Sequence, residues 1–182
     1  MFTNSTQGYG LISVLFHWLL ALLIPGLFAL GVWMVELDYY SEWYHRAPAI
    51  HKAVGVSVVG LMILRWIWLR LNPRVLPLMH ADWEHLAAKT VHALLYLGVL
   101  LLGTSGYLIA TAEGQGVKVF DVFEVPPLSA EALFERQADL AGEIHVYVAY
   151  GLMALVVLHV AGALKHHFID RDATLRRMLG KR

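Results

Sequence analysis

Residues 143–160 read EIHVYVAYGLMALVVLHV. From Ile144 to Leu164 the chain carries no charged residue, only apolar, aromatic and small side chains and two histidines, His145 and His159. A run of about 20 such residues is long enough to cross a bilayer as a helix. A helix turns about 100° per residue, so a separation of fourteen brings the second imidazole back to within about 40° of the first, roughly 21 Å further along. Two ionisable rings on one stripe of a lipid-compatible segment call for a function, because such groups are costly inside a membrane.

Three further windows have the same character. The 182 residues are 58% hydrophobic and only 15% charged, with a mean hydropathy of +0.58, far from the roughly 25% charge of a soluble domain. Spans are expected at about 11–35, 49–71, 86–112 and 144–167, with Lys52 and Arg65 inside the second. Only helices satisfy their own backbone within single spans of this kind. The expected fold is therefore all-α, a four-helix transmembrane bundle, and residues 1–182 read as one domain. A cleavable signal peptide is not expected, since no basic segment precedes the first apolar run and that run is of full spanning length. Cysteine is absent. That excludes disulfides, iron–sulfur clusters and thioether-attached haem, so any redox group must be held by other side chains.

Orientation follows from Lys and Arg. With four spans, both termini share a side with the connection between spans two and three. Arg65, Arg70, Arg74, Lys89, Lys165, Arg171, Arg176, Arg177, Lys181 and Arg182 fall there, against Arg46, Lys52, Lys118 and Arg136 opposite. Acidic residues run the other way, four against ten. The excess of basic residues places both termini in the cytoplasm. The longest connection, 113–142, opens with EGQG and has Pro126-Pro127 at its middle. Its end, SAEALFERQADLAGE at 129–143, has the period of an amphipathic helix on the outer surface. The tail IDRDATLRRMLGKR reads as a short basic helix drawn to anionic lipid.

Depth sorts the histidines. His51 begins the second span at the level of His145, and His17 lies about as far from the cytoplasmic side as His159. Two pairs result, His51 with His145 and His17 with His159. Each offers two neutral nitrogens from facing helices, which is what a planar six-coordinate haem iron requires. Gly55, Gly162 and Ala163 near these positions leave room for a macrocycle. A single transition-metal ion cannot be shared by ligands about 21 Å apart on one helix, and zinc would bring acidic or thiol partners at the same level.

FHWLLALL around His17, IHKAVG around His51, VHALLY around His92, EIHVYVAY and LHVAGALKHHF in span four, and the ending ALKHHFIDRDATLRRM occur in order over nearly the whole chain. In this the sequence resembles the bacterial cytochrome b561 family. GYLIATAEG and VFDVFEVP resemble the subgroup often encoded beside a small periplasmic isoprenoid-binding protein. The resemblance implies a multi-pass protein of the bacterial inner membrane in which His17, His51, His145 and His159 are axial ligands of two b-type haems. It further implies electron exchange with ubiquinone, and in one member type the oxidation of superoxide.

Other residues suit that chemistry. His92, with Tyr96 one turn later, and His166, which continues the stripe of His145 and His159, are candidates for a quinone site. Imidazole can hydrogen-bond a quinone carbonyl and supply a proton. His80 and Arg70 are weaker candidates on the same side. Arg65 lies fourteen residues after His51 and either neutralises a haem propionate or quinone oxygen or snorkels to the interface. His45, His85 and His167 read as interfacial residues without a role. The expected function is a di-haem b electron carrier between ubiquinone and a periplasmic redox partner, with superoxide:ubiquinone oxidoreduction the leading chemistry. Its partners are then the lipid bilayer, ubiquinone, and superoxide or the isoprenoid-binding protein, with no nucleic acid. The rival readings are a haem b membrane-anchor subunit of a periplasmic dehydrogenase and a cofactor-free transport or scaffold protein.

Overall fold

Four long helices carry the apolar windows: α1 (Leu11–Met34), α2 (Arg46–Leu71), α3 (Asp82–Ala110) and α4 (Gln137–Phe168). The computed structural model describes residues 1–78 and 81–180. All four helices are long and apolar enough to cross a membrane. Their lipid-compatible faces are bare: Leu15, Leu22, Leu64, Val157 and Leu158 are all exposed. That pattern suits hydrocarbon as solvent and would be unfavourable in water.

Local chemistry sets the helix ends. The first donors of α1, Leu11 N–H and Ile12 N–H, reach the Met1 and Phe2 carbonyls at 3.1 and 3.4 Å. Gly10 N–H and the Ser13 hydroxyl both donate to Asn4 Oδ1, at 2.9 and 2.7 Å, so the buried Asn4 acts as a cap held inside the fold. Pro48 stands in the first turn of α2, where its missing N–H costs nothing. That helix stops before Asn72-Pro73, as the restriction on a residue preceding proline requires. α3 opens with Asp82 and Glu84 in its first turn, and α4 closes with Lys165, His166 and His167, both matched to the helix dipole.

The connection from α3 to α4 differs from the amphipathic helix expected at 129–143. Its first half is a hairpin, β1 (Val117–Val119) antiparallel to β2 (Phe123–Val125), pairing Val117 with Val125, Lys118 with Glu124 and Val119 with Phe123. Phe120 and Asp121 at the turn have φ of 49° and 56°, the arrangement that matches strand twist in a tight hairpin. Residues 129–136 are not helical. Arg136 adopts φ 57°, which breaks the helical path. The buried Gln137 side chain accepts from Leu133 N–H at 2.7 Å and donates to the Leu108 carbonyl at 2.8 Å, fixing where α4 begins. A short α5 (Thr174–Met178) occupies the basic tail, whose Lys181 and Arg182 lie outside the described residues.

The chain divides into two compact units, each built from segments of all four long helices. The first comprises Met1–Leu22, Leu61–Tyr96 and Ala154–Arg182. Its polar ties run from Trp68 Nε1 to the Ser13 hydroxyl at 3.0 Å, from Trp18 Nε1 to the Met178 carbonyl at 2.7 Å, and from Arg177 Nη1 to the Leu76 carbonyl at 2.8 Å. The second comprises Leu23–Gly60 and Leu97–Met153. There glycines let helices approach: a Cβ on Gly98 would stand 2.8 Å from Leu152 Cδ1, and one on Gly103 2.6 Å from Val59 Cγ2. Close backbone approach of this kind is the usual basis of helix packing in lipid, where no hydrophobic force acts between helices.

Candidate functional site

In the second unit the imidazoles of His51 on α2 and His145 on α4 face one another, with ring centroids 6.2 Å apart and planes 65° apart. In the first unit His17 on α1 and His159 on α4 do the same at 6.1 Å and 64°. The two arrangements are nearly superimposable in these measures, although they draw on different partner helices.

That spacing can be tested against a metal. A metal–imidazole nitrogen bond of about 2.0–2.1 Å, with the ring centre about 1 Å beyond the nitrogen, puts two rings on opposite sides of one iron about 6 Å apart. Both pairs fit. His92 on α3 does not fit as such a partner, because its ring lies only 5.1 Å from that of His159. It is a third imidazole against the pair.

Tautomers and seating also agree with ligation. The Ser105 hydroxyl donates to the Leu101 carbonyl at 2.7 Å, so its lone pair accepts from His145 Nδ1–H at 3.0 Å. This leaves Nε2 of His145 as the free donor atom, the arrangement metal-bound histidines adopt. Gly106, one residue on, lies under the same ring: a Cβ there would be 3.2 Å from His145 Cε1. Gly31 on α1 does the same for His51, again at 3.2 Å from Cε1. The carbonyls four residues before these glycines, Leu27 and Leu102, face the two rings. His51 Nδ1 is buried and without a hydrogen bond of normal geometry. A Cβ on Gly55 or Gly162 would meet no protein atom within 4 Å. Sequence reasoning named Gly55 and Gly162 and missed Gly31, Gly106 and Ser105.

Arg65 on α2 is the charged member of the first unit's site. Its Nη1 donates to the Tyr96 hydroxyl, and its guanidinium carbon lies 5.6 Å from the Tyr96 ring centroid. Nε is buried with no partner. Tyr96 follows His92 by one turn of α3, and the His92 ring packs against His159, so the guanidinium belongs to the same cluster. Arg70 instead stacks over Trp66 at 4.6 Å.

His166 sits at the end of α4 among carboxylates. Its Nδ1 is 2.7 Å from Asp170 Oδ2 and 3.4 Å from Asp172 Oδ2. Lys165 bridges Glu84 at 2.5 Å and Asp170 at 2.8 Å, and its hydrogen bond holds the Asp170 carboxyl below its ordinary value. His45 packs edge-on against Tyr44, centroids 5.0 Å apart, and with Tyr44 and Lys52 lines a cleft of about 580 Å³. His167 packs against Phe168 at 4.8 Å. His80 lies outside the described residues.

Four helices long and apolar enough to span a membrane, carrying imidazoles in facing pairs, are an arrangement that suits a membrane-embedded b-type cytochrome. The chain belongs to the prokaryotic cytochrome b561 family, whose model it matches over residues 8–181. It is 47% identical to cytochrome b561 homolog 2 of Escherichia coli over 181 residues, covering 99% of this chain and 95% of that protein. It is 26% identical to the probable superoxide oxidase CybB of Yersinia pestis, covering 96% and 97%. To cytochrome b562 of Cereibacter sphaeroides it is 27% identical, again covering 96% and 97%. The protein is thus a multi-pass, haem b-binding electron-transfer protein of the inner membrane.

Proposed function

We propose that the chain binds two haems b and passes electrons between a donor outside the membrane and ubiquinone. His51 and His145 ligate one haem through Nε2, and His17 and His159 the other. The observation that carries this reading is the matched ring spacing, 6.2 and 6.1 Å, in two pairs on different helices. Haem, when bound, supplies a one-electron carrier; the rest is protein chemistry. Ser105 orients His145, Gly31 and Gly106 give the second unit's rings a seat, and Arg65 offers its unpartnered Nε to an anion such as a propionate. His92 and His166 are the groups to hydrogen-bond a quinone and deliver its protons. The excess of basic residues on one side supports cytoplasmic termini and puts the His17–His159 pair toward the cytoplasm.

The balanced reaction would be two superoxide anions, one ubiquinone and two protons giving two dioxygen molecules and ubiquinol. The relative described as a probable superoxide oxidase supports superoxide as the donor. Pyridine haemochrome assay tests the haem count. Wild type should carry two haems per chain. His51→Ala combined with His145→Ala should leave one, and His51→Ala combined with His159→Ala none. Equal losses from the two double variants would refute the pairing. Reduction of the haems by superoxide in reconstituted membranes, followed by stopped flow, tests the donor; no reduction would leave a protein donor in its place.

A further inference from the structure

The two imidazole pairs lie in unlike electrostatic settings. In the first unit, the Arg65 guanidinium is half-buried in a membrane helix and is hydrogen-bonded to Tyr96, one turn after His92, whose ring lies 5.1 Å from that of His159; it makes no ion pair with a carboxylate among the described residues. The Tyr96 hydroxyl accepts its hydrogen bond and holds the guanidinium in place. In the second unit, the cation nearest in sequence, Lys52, is exposed, where solvent and salt screen it. That unit has instead Ser105 drawing on the Nδ1–H of His145.

We propose that Arg65 makes the His17–His159 site the higher-potential of the two, so that an electron shared between them rests there. The proposal depends on both pairs being haem ligands. Oxidised haem iron carries one more positive charge than reduced iron, so a fixed cation in a low-dielectric setting disfavours the oxidised form. Where the guanidinium pairs with a propionate it removes a negative charge that would have favoured oxidation, and the sign is the same. Hydrogen bonding to Nδ1–H acts in the opposite direction at the other site. It makes His145 a more basic ligand and favours oxidised iron. Both effects separate the potentials in one sense. Arg65 is a tuning residue that acts through the haem, and its signature is a potential.

The test is spectroelectrochemical titration of purified protein without quinone. His51→Ala and His159→Ala backgrounds, each keeping one site, assign the two waves. The His17–His159 site should be reduced first. Arg65→Gln should lower its reduced-to-oxidised ratio at fixed electrode potential at least tenfold, or ~59 mV for one electron, and move the other site much less. Arg65→Lys, which keeps the charge, should retain most of the wild-type ratio, and Ser105→Ala should raise the ratio at the other site severalfold. Equal displacement of both sites by Arg65→Gln, no displacement, or prior reduction of the His51–His145 site would each overturn the proposal. A wild-type protein with fewer than two haems would show in the absorbance before titration, and would refute the ligand reading itself.

Discussion

Gly106 lies directly beneath His145, close enough that a single added methyl would meet Cε1 at 3.2 Å. The glycine and the ring belong to α3 and α4, so the seat is a helix–helix contact and a ring-orienting contact at once. Gly106→Ala requires the helix or the ring to give by a few tenths of an ångström, which shifts His145 in its seat. The expected outcome is a severalfold loss of haem from the His51–His145 site, measured as haem per chain in a His17→Ala background. Gly26→Ala should have no effect, since its Cβ meets no atom within 4 Å.

Gly10 is a purely structural counterpart. A Cβ there would stand 2.4 Å from the Phe2 carbonyl oxygen and from two backbone atoms of Thr3, none of which can rotate away. The N-terminal segment that caps α1 would have to move, breaking the Asn4 contacts to Gly10 and Ser13. Gly10→Ala should cost about 2 kcal/mol, or roughly 4–8 °C in Tm for a chain of this size, with haem content unchanged before melting.

Asp170 gives an acid-sensitive contact. Its hydrogen bond with Lys165 lowers the carboxyl pKa below the ordinary 3.8. A group with a depressed folded-state pKa stabilises the fold above its unfolded value, and the contribution is lost as pH falls through the folded one. Asp170→Asn should therefore lower Tm at pH 6 relative to wild type, and the gap should close only below about pH 4. Thermal melts at several pH values check this; a gap that persists unchanged in strong acid would count against the ion pair.

His92→Ala and His166→Ala are expected to keep both haems and to slow haem reoxidation by ubiquinone about 100-fold, the lower range for loss of a positioned proton donor. Stopped-flow reoxidation measures it. His92 packs against His159, so its variant should also shift the spectrum of that site, whereas His166→Ala should not.

The histidine spacing was legible because a fourteen-residue interval has a definite meaning on a helix and because span ends set depth. His51 and His145, and His17 and His159, do approach in space, and the approach of His92 to His159 is a third that the depth pairing did not include. The glycine seats were not legible. Any membrane helix uses glycine to pack, and Gly31 and Gly106 touch rings on helices whose rotation the sequence does not specify. The stretch at 129–143 misled for a different reason. The stretch is helical from Gln137 onward, but the left-handed Arg136 and the two-way hydrogen bonding of Gln137 cut off the earlier part. The hairpin before it has no Asn-Gly or Asp-Gly at its turn, only Phe120-Asp121, and so gave no turn signature.

Both imidazole pairs take one ring from α4, which leaves the ribosome after the other three long helices. Neither pair can exist while only the first three spans are in the membrane, whatever their own stability. With the proposed ligand set, haem capture follows insertion of the whole bundle instead of guiding it, and a chain arrested before α4 should stay colourless. Colour becomes a readout of completed biogenesis, and a cell short of haem would accumulate a fully inserted apoprotein in place of half-made fragments.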